Sequence, residues 1–194
     1  MKPTTNKIDD IIRAINDCRQ QRERVVVAID GRSAAGKTTL ALELGHRIGA
    51  PVIHLDHFFL RPEQRTKERL DEPGGNVDYE RFIEEVLAPI RRGDLFSYRP
   101  FDCTSMSLMD PIEVIVGDTV IIEGAYACHP LFREHVDLTV FLSIDSAEQT
   151  RRIHEREGEL ASQVFKERWI PMEERYIAFY NIPEYCDLVF NMYE

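Results

Sequence analysis

The chain has 194 residues, of which 43% are hydrophobic and 30% are charged, a mixture typical of a soluble globular protein. Its formal net charge of −10 argues against broad binding to nucleic acids or anionic membranes. No apolar run approaches the roughly 18 residues of a membrane span, and residues 1–10 contain no signal-peptide core. The four cysteines form no CxxC pair, so we expect reduced, buried thiols in a cytoplasmic protein. The oligomeric state stays open, and a homo-oligomer is compatible with the sequence.

Helices and strands are predicted to alternate along the whole chain. In the first half of the chain, the sequence pattern predicts an amphipathic helix near 6–20, a strand at 25–29, a helix at 38–48, a strand at 52–55, a loop at 61–78 and a helix at 78–92. The second half predicts short strands at 95–102, 112–116, 120–122 and 138–144, a helix opened by a Ser146–Gln149 capping box, a helix at 164–179 and a strand at 188–190. This alternation predicts one α/β domain over residues 1–194, with three α/β/α layers and a mostly parallel sheet. Ligands of such sheets bind beyond the carboxyl ends of the strands.

A phosphate-binding loop is predicted directly after the first strand. Residues 31–38 fit the pattern G-x-x-x-x-G-K-[ST] between a strand and a helix, as the motif requires. Its glycines let successive N–H groups point inward, and the next helix adds its positive N-terminal end. Lys37 is expected to reach the β- and γ-phosphates, and Thr38 to offer its hydroxyl to Mg²⁺. We therefore predict that ATP is bound by Gly31, Arg32, Ser33, Ala34, Ala35, Gly36, Lys37, Thr38 and Thr39.

GTPases, ATPases and small-molecule kinases all share the phosphate-binding loop, so other segments of the chain must indicate which reaction is catalysed. Residues 6–9, Asn-Lys-Ile-Asp, have the letters of a guanine reader but precede the loop, and residues 71–74 match D-x-x-G without a preceding strand. Asp56, in contrast, directly follows the second strand, where a carboxylate can accept the proton of an attacking hydroxyl. A turn-capping role is the alternative for Asp56. His54 and His57 flank it, but no third metal ligand stands at a suitable spacing.

Six motifs in order resemble the uridine kinase-like family of P-loop kinases, which also contains phosphoribulokinase-like and pantothenate kinase-like members. The resemblance runs from about residue 25 to about residue 191. The motifs are Ile29-Asp30-Gly31-x-Ser33-x-x-Gly36-Lys37-Thr38, Asp56-x-Phe58-Phe59, Asn76-Val77-Asp78-Tyr79-Glu80-Arg81-Phe82, Tyr98-Arg99-Pro100-Phe101-Asp102, Ile121-Ile122-Glu123-Gly124 and Arg152-x-x-x-Arg156-Glu157.

The resemblance implies roles for residues on both sides of the site. Asp56 falls at the family's general base, and Glu123 at the carboxylate that holds Mg²⁺ through water. Acceptor binding is implied for Asp56, Phe59, Asp78 and Phe101, on an excursion over about 57–110. Arg152 and Arg156 fall in a small helical lid over about 151–165, with Arg151 a weaker candidate. Asp78 is also well placed as a helix N-cap, and arginines one turn apart on a helix often only face water.

The acceptor side departs from the family pattern. Many uridine kinases have Tyr at the positions of Phe59 and Phe101 and a His shortly after Asp102, where this chain continues with Cys103. A nucleoside is the first acceptor to consider, with pantothenate-like or nicotinamide riboside-like alcohols as alternatives. A phosphorylated or acidic acceptor is favoured if Arg61, Arg65 or Arg99 lines the pocket. A non-catalytic ATP-binding regulatory protein is the alternative from another class.

Overall fold

The observed elements follow the predicted alternation. The computed structural model describes residues 3–93 and 95–192. Its strands are β1 (Val25–Gly31), β2 (Val52–His54), β3 (Phe96–Tyr98), β4 (Phe101–Asp102), β5 (Ser107–Leu108), β6 (Ile112–Val114), β7 (Thr119–Glu123), β8 (Leu138–Ser143) and β9 (Leu188–Asn191). Its α-helices are α1 (Pro3–Arg19), α2 (Lys37–Ile48), α3 (Lys67–Asp71), α4 (Tyr79–Phe82), α5 (Ala88–Arg92), α6 (Ser146–Glu157), α7 (Glu159–Val164), α8 (Ile170–Tyr180) and α9 (Ile182–Tyr185).

Five strands form a wholly parallel central sheet in the order β2-β7-β1-β8-β9. Every residue of β1 and of β7 is buried, as expected for parallel strands that helices cover on both faces. Side chains alternate across β1. Val25, Val27 and Ile29 belong to one apolar cluster, which includes residues of α1 and α2. Val26 and Ala28 belong to the cluster on the other face, with Phe82 of α4 and Tyr176 of α8 among its members. The predicted three-layer α/β/α fold is confirmed.

The excursion between β2 and β7 is more structured than predicted. The expected loop at 61–78 contains a 3₁₀ turn (Pro62–Gln64) and α3, whose N-cap Thr66 accepts a hydrogen bond from the Arg69 N–H. The helix expected at 78–92 is interrupted by a π-helical segment, Ile83–Leu87, between α4 and α5. The short strands pair as two separate antiparallel ladders, β3 with β6 and β4 with β5. The excursion thus forms a small layer beside the carboxyl end of β2.

Two local predictions are wrong. The N-cap of α6 is Asp145, whose side chain accepts the Glu148 N–H at 2.8 Å, so Ser146 is the first helical residue and not the cap. Cys103 is exposed and not buried, while Cys18 and Cys186 are half-buried and only Cys128 is fully inside. Across residues 3–93 and 95–192, no helix is both long and apolar enough to cross a membrane.

Candidate active site

The predicted phosphate loop is formed at the carboxyl end of β1. Gly31 has a φ of 143°, and a Cβ atom there would lie 2.2 Å from the backbone oxygen of Leu142 in β8. Only glycine therefore allows β1 and β8 to approach this closely. The Lys37 ammonium donates to the carbonyl groups of Gly31 at 2.8 Å and Arg32 at 3.1 Å, so it spans the loop. These contacts hold the Lys37 side chain over the turn where phosphate binding is predicted.

A cavity of about 650 Å³ opens above this loop. It gathers eleven of the residues predicted from sequence, namely Ser33, Ala34, Gly36, Lys37, Thr38, Thr39, Asp56, Phe59, Glu123, Arg152 and Arg156. Its size is in the range of small-molecule sites, and it lies at the edge of the sheet where α/β folds bind ligands. The cavity therefore unites the two halves of the predicted site, the phosphate loop and the strand-end carboxylates.

Five predicted residues do not line this cavity. Gly31 and Ala35 are part of the phosphate loop but do not reach the cavity surface. The Arg32 side chain forms an ion pair with Glu174, with 2.5 Å between Nε and Oε1. The Asp78 carboxylate caps α4 through the Arg81 N–H at 3.2 Å, and it also accepts from the Gln64 amide at 2.8 Å. Phe101 is buried in β4. The geometry therefore favours the N-cap interpretation of Asp78, which lines a neighbouring cavity, and the acceptor contacts of Asp78 and Phe101 stay predictions.

Thr38 and Glu123 form an oxygen-rich corner of the cavity. The Thr38 hydroxyl lies 3.2 Å from each oxygen of the buried Glu123 carboxylate, which also contacts the Nδ1 atom of His54. This hydrogen bond to Glu123 raises the pKa of His54 above its usual value. Hydroxyl and carboxylate oxygens are ligands that Mg²⁺ accepts, with phosphate oxygens and water completing its shell. The corner fits the implied ion.

The two histidines beside Asp56 do not form a metal site. Within the described residues, no group of three or more His, Cys, Asp and Glu side chains is arranged to hold a metal ion. His57 instead pairs through Nδ1 with the Tyr98 hydroxyl at 3.0 Å, and burial lowers its pKa. His57 is therefore part of the packing of the excursion.

Asp56 lies in the 3₁₀ turn Leu55–Phe58 that follows β2, and it is open to the cavity. The protein that surrounds its other sides raises the pKa of its carboxyl group, and the positive charge of Lys37 opposes that rise. Gly124, at a φ of 146°, leaves room beside it, since a Cβ atom there would lie 3.4 Å from Asp56 Oδ1 and 3.0 Å from Leu55 Cβ. A carboxylate that is open to the cavity and more basic than usual suits proton acceptance.

Three arginines of α6 have different surroundings. Arg151 is exposed and pairs with Glu148 and Glu155. Arg152 is half-buried and donates to Glu148 at 2.7 Å and to the Ala34 carbonyl of the phosphate loop at 3.3 Å. Arg156 pairs with Glu157 while lining the cavity. Arg152 thus contacts the phosphate loop, Arg156 lines the cavity, and Arg151 faces solvent.

Two buried carboxylates that shape the loop were missed from the sequence. Glu173 of α8 accepts the Ser33 N–H at 2.9 Å and its hydroxyl at 2.5 Å, and burial raises the pKa of Glu173. Asp30 accepts from the N–H groups of Gly31, Tyr126 and Cys128 and from the Tyr176 hydroxyl. A charge inside an otherwise apolar strand is a signal for Asp30. Glu173 lies on a helix far along the chain, where no local pattern marks it.

The sheet order, the loop after β1 and the carboxylates at the neighbouring strand ends define a chain with the P-loop kinase fold. A structure of a possible uridine kinase from Bacillus stearothermophilus matches 93% of this chain and 99% of that chain, with a TM-score of 0.66 and 19% identity. A proposed fructose transport system kinase from Silicibacter sp. TM1040 matches 94% and 98%, with a TM-score of 0.70 and 19% identity.

A third structure, of a proposed P-loop-containing kinase with a circular permutation from Saccharomyces cerevisiae, matches 97% of this chain and 98% of that chain, with a TM-score of 0.64 and 12% identity. No protein-family model and no curated protein matches the sequence. Identities this low establish the shared fold, and the function must be argued from the site.

Proposed function

We propose that this protein transfers the γ-phosphoryl group of ATP to a hydroxyl group of a small metabolite. The observation that carries this proposal is the presence of Lys37, Asp56 and Glu123 in one cavity, together with Arg152 and Arg156. A nucleotide switch would need the phosphate loop, but it has no use for an open carboxylate opposite Lys37. A kinase needs both, because an acceptor must lose a proton as it attacks.

In the proposed reaction, the acceptor oxygen bonds to the γ-phosphorus while the bond from that phosphorus to the bridging oxygen of ADP breaks. Asp56 orients the acceptor hydroxyl and takes its proton. Lys37, Arg152 and Arg156 neutralise the charge on the transferred group. When bound at Thr38 and Glu123, Mg²⁺ would supply further neutralisation of phosphate charge. Because such transition states are loose, positioning and electrostatics are expected to contribute more than proton removal.

The resemblance makes a nucleoside the first acceptor to test. Pantothenate-like and nicotinamide riboside-like alcohols follow as alternatives. The proposal includes a cytoplasmic location, since all four cysteines are free, which suits a reducing compartment.

The test is acceptor-dependent release of ADP, with Lys37→Ala as the decisive variant. We expect turnover to fall by about 10³-fold or more, because the lysine contacts the transferring phosphates. Lys67→Ala, which removes an exposed lysine of α3, is the matched control and should keep full activity. The melting temperature of both variants should stay near that of the parent. If Lys37→Ala turns over at the parent rate, or if the rate of ADP release is the same with and without every acceptor tested, the proposal is wrong.

A further inference from the structure

We infer that the acceptor carries an anionic group, a carboxylate or a phosphate, which Arg65 binds at the far end of the cavity from the phosphate loop. This inference rests on the proposed function and names the class of its acceptor. Three arginines were candidates for such a contact, and they differ in the structure. Arg65 lines the cavity, Arg61 lines a separate neighbouring cavity, and Arg99 lines neither.

The guanidinium of Arg65 is held in place and keeps donors available. Its Nε atom donates to the Leu60 carbonyl at 2.9 Å, which fixes the plane of the group. One terminal nitrogen lies 4.0 Å from Cys103 Sγ, a weak contact. No carboxylate in the described part of the chain lies within ion-pair distance of Arg65. Arg61, in contrast, has Glu63 at 3.6 Å and Asp78 at 3.8 Å. A fixed guanidinium with free donors matches a carboxylate or phosphate in two-point geometry.

Asn76 offers a second polar group to a ligand in this cavity. It lines the same cavity and is only 6% exposed, yet its carboxamide has no hydrogen-bond partner among the described residues. The buried side-chain atoms that lack a partner in the described part of the chain are Arg81 Nε and His135 Nδ1, so the Asn76 carboxamide is accessible from the cavity and not sealed in the core. A bound acceptor can complete the hydrogen bonding of this carboxamide.

The distribution of charge in the cavity separates the two ends. Lys37 and Arg152 contact the phosphate loop itself, so they belong to the ATP side. Arg156 of α6 also lines the cavity and pairs with Glu157, whereas Arg65 is the cation that the excursion contributes.

Cys103 lies beside Arg65, with its Sγ atom 4.0 Å from a terminal nitrogen of the guanidinium. The protein around the thiol gives the largest rise in its pKa, Arg65 lowers that pKa and Asp56 raises it, so the charges of both residues act at Cys103. An acceptor can therefore place its anion on Arg65 and its hydroxyl on Asp56 at the same time.

A neutral nucleoside fits this end less well. Of the four residues that the resemblance assigns to acceptor binding, Asp56 and the apolar Phe59 line the cavity, whereas Asp78 and Phe101 do not. A site whose charged donor is left unpaired rejects the ligand that lacks the matching group, often by orders of magnitude. Anionic acceptors should therefore be preferred over neutral acceptors of the same shape.

The experiment compares matched acceptor pairs that differ in charge. The pairs are pantothenate with pantothenol, gluconate with glucose and glycerol 3-phosphate with glycerol, with uridine added, and ADP release is measured for each. At least one anionic member should have a kcat/KM about 10-fold or more above that of its neutral partner. Comparison of kcat/KM for the carboxylate acceptors with that for glycerol 3-phosphate shows which kind of anion the site prefers. If a neutral acceptor, uridine included, has a higher kcat/KM than every anionic acceptor, the inference is wrong. The proposed kinase activity would still be supported by that result.

Variants at Arg65 connect this preference to the residue. Arg65→Gln should raise the KM of the preferred anionic acceptor by about 10- to 100-fold, because it removes a charge-assisted contact. The KM of ATP should not change, and Arg65→Lys should restore part of the affinity. Arg61→Gln, which removes an arginine of the neighbouring cavity, is the matched control and should leave the acceptor KM within about two-fold. An equal loss for charged and neutral acceptors in Arg65→Gln contradicts the inference.

A second readout does not need turnover. Cys103 is exposed and lines the cavity beside Arg65, so a bound anion should slow its alkylation by N-ethylmaleimide, measured on its peptide by mass spectrometry. One outcome is that an anion protects Cys103 in the parent but not in Arg65→Gln, while no acceptor is phosphorylated. That result would support the anion site and overturn the proposed kinase activity. Neither protection nor transfer with any acceptor would overturn both.

Discussion

At the scale of single residues, Asp56 allows the chemistry of transfer to be separated from binding. Its carboxylate is open to the cavity, and it makes no contact with the phosphate loop that a substitution would break. We expect Asp56→Asn to lower kcat by about 10²- to 10⁴-fold, the usual contribution of a general base. The dissociation constant of ATP should change little, since the isosteric amide keeps the shape of the turn. Steady-state kinetics and calorimetric titration with ATP measure the two quantities.

The result for Asp56→Asn also decides between the two interpretations of this residue. An unchanged kcat would assign the carboxylate to the turn Leu55–Phe58 alone. A matched loss of kcat and of ATP affinity would instead indicate a disturbed cavity. Asp71→Asn is a useful companion variant, since it makes the same chemical change at an exposed residue of α3 outside the cavity and should not affect kcat.

The residues found from sequence and those missed differ in one physical respect. Asp56 and Glu123 stand at or just after strand ends, and Lys37 begins the helix that follows the loop after β1. Parallel strands bring such ends together at one edge of the sheet. Glu173 and Asn76 enter the cavity through packing between distant segments. Ser33 and Glu173 are 140 residues apart and still share two hydrogen bonds. Periodicity describes local order, so it cannot predict such contacts.

At the scale of elements, Asp30 connects the end of β1 with the turn after β7 and with α8. Its carboxylate accepts at 2.6 Å from Gly31, 3.1 Å from Tyr126, 3.0 Å from Cys128 and 2.8 Å from the Tyr176 hydroxyl. Tyr126 has a positive φ of 73°, an unfavourable conformation for a non-glycine residue, and this hydrogen bond helps to hold it. The phosphate loop therefore depends on Asp30 for its connection to the rest of the fold.

We expect Asp30→Asn to lower the free energy of unfolding by about 3 kcal/mol, because the new NH₂ group meets donors and leaves them unpaired. Tyr176→Phe removes a single hydrogen bond to the same carboxylate and should cost about 1 kcal/mol. Urea unfolding followed by circular dichroism measures both variants. Similar losses for the two substitutions would show that Asp30 does not connect the three elements.

Element types were predicted better than element ends. The buried runs of β1, β7 and β8 are rich in Val, Ile and Leu, and their burial within a parallel sheet follows from that composition. Other features depend on tertiary packing or on a choice between neighbouring caps. Asp145 and Ser146 are both good N-cap residues, so sequence alone does not decide between them. The π-helical interruption at Ile83–Leu87 has no sequence signature of comparable strength.

At the scale of the whole molecule, stability should depend on pH through His129. The side chain is only 6% exposed and stacks between the rings of Tyr79 at 5.6 Å and Tyr176 at 5.9 Å. Its Nδ1 atom accepts the Leu131 N–H at 3.2 Å, which requires the neutral ring. The pKa of His129 falls from 6.5 to about 4, mainly because of burial and also because of Arg69, while a hydrogen bond to the Pro73 backbone and the charge of Glu72 oppose the fall.

Between these two pKa values the unfolded chain binds more protons than the folded protein, so acid favours unfolding. The stability due to the neutral ring is fully present above about pH 6.5 and is lost as the pH falls towards about 4. From one pKa unit being 1.36 kcal/mol, the loss should be about 1 kcal/mol between pH 7.5 and 5.5 and about 3 kcal/mol by pH 4. The buried carboxyl groups of Asp30 and Glu173 have raised pKa values and act in the opposite direction, so the total pH dependence is mixed.

The contribution of His129 is isolated by comparison with His129→Asn, whose amide oxygen can still accept the Leu131 N–H but does not titrate. This variant loses ring stacking and should be less stable than the parent at pH 7.5. As the pH falls, the difference in the free energy of unfolding should shrink by the amounts given above, because only the parent must keep a histidine neutral. Urea unfolding of both proteins across this range measures that difference. A difference that stays constant with pH would mean that His129 titrates normally in the folded protein, and that the aromatic stack around it admits water.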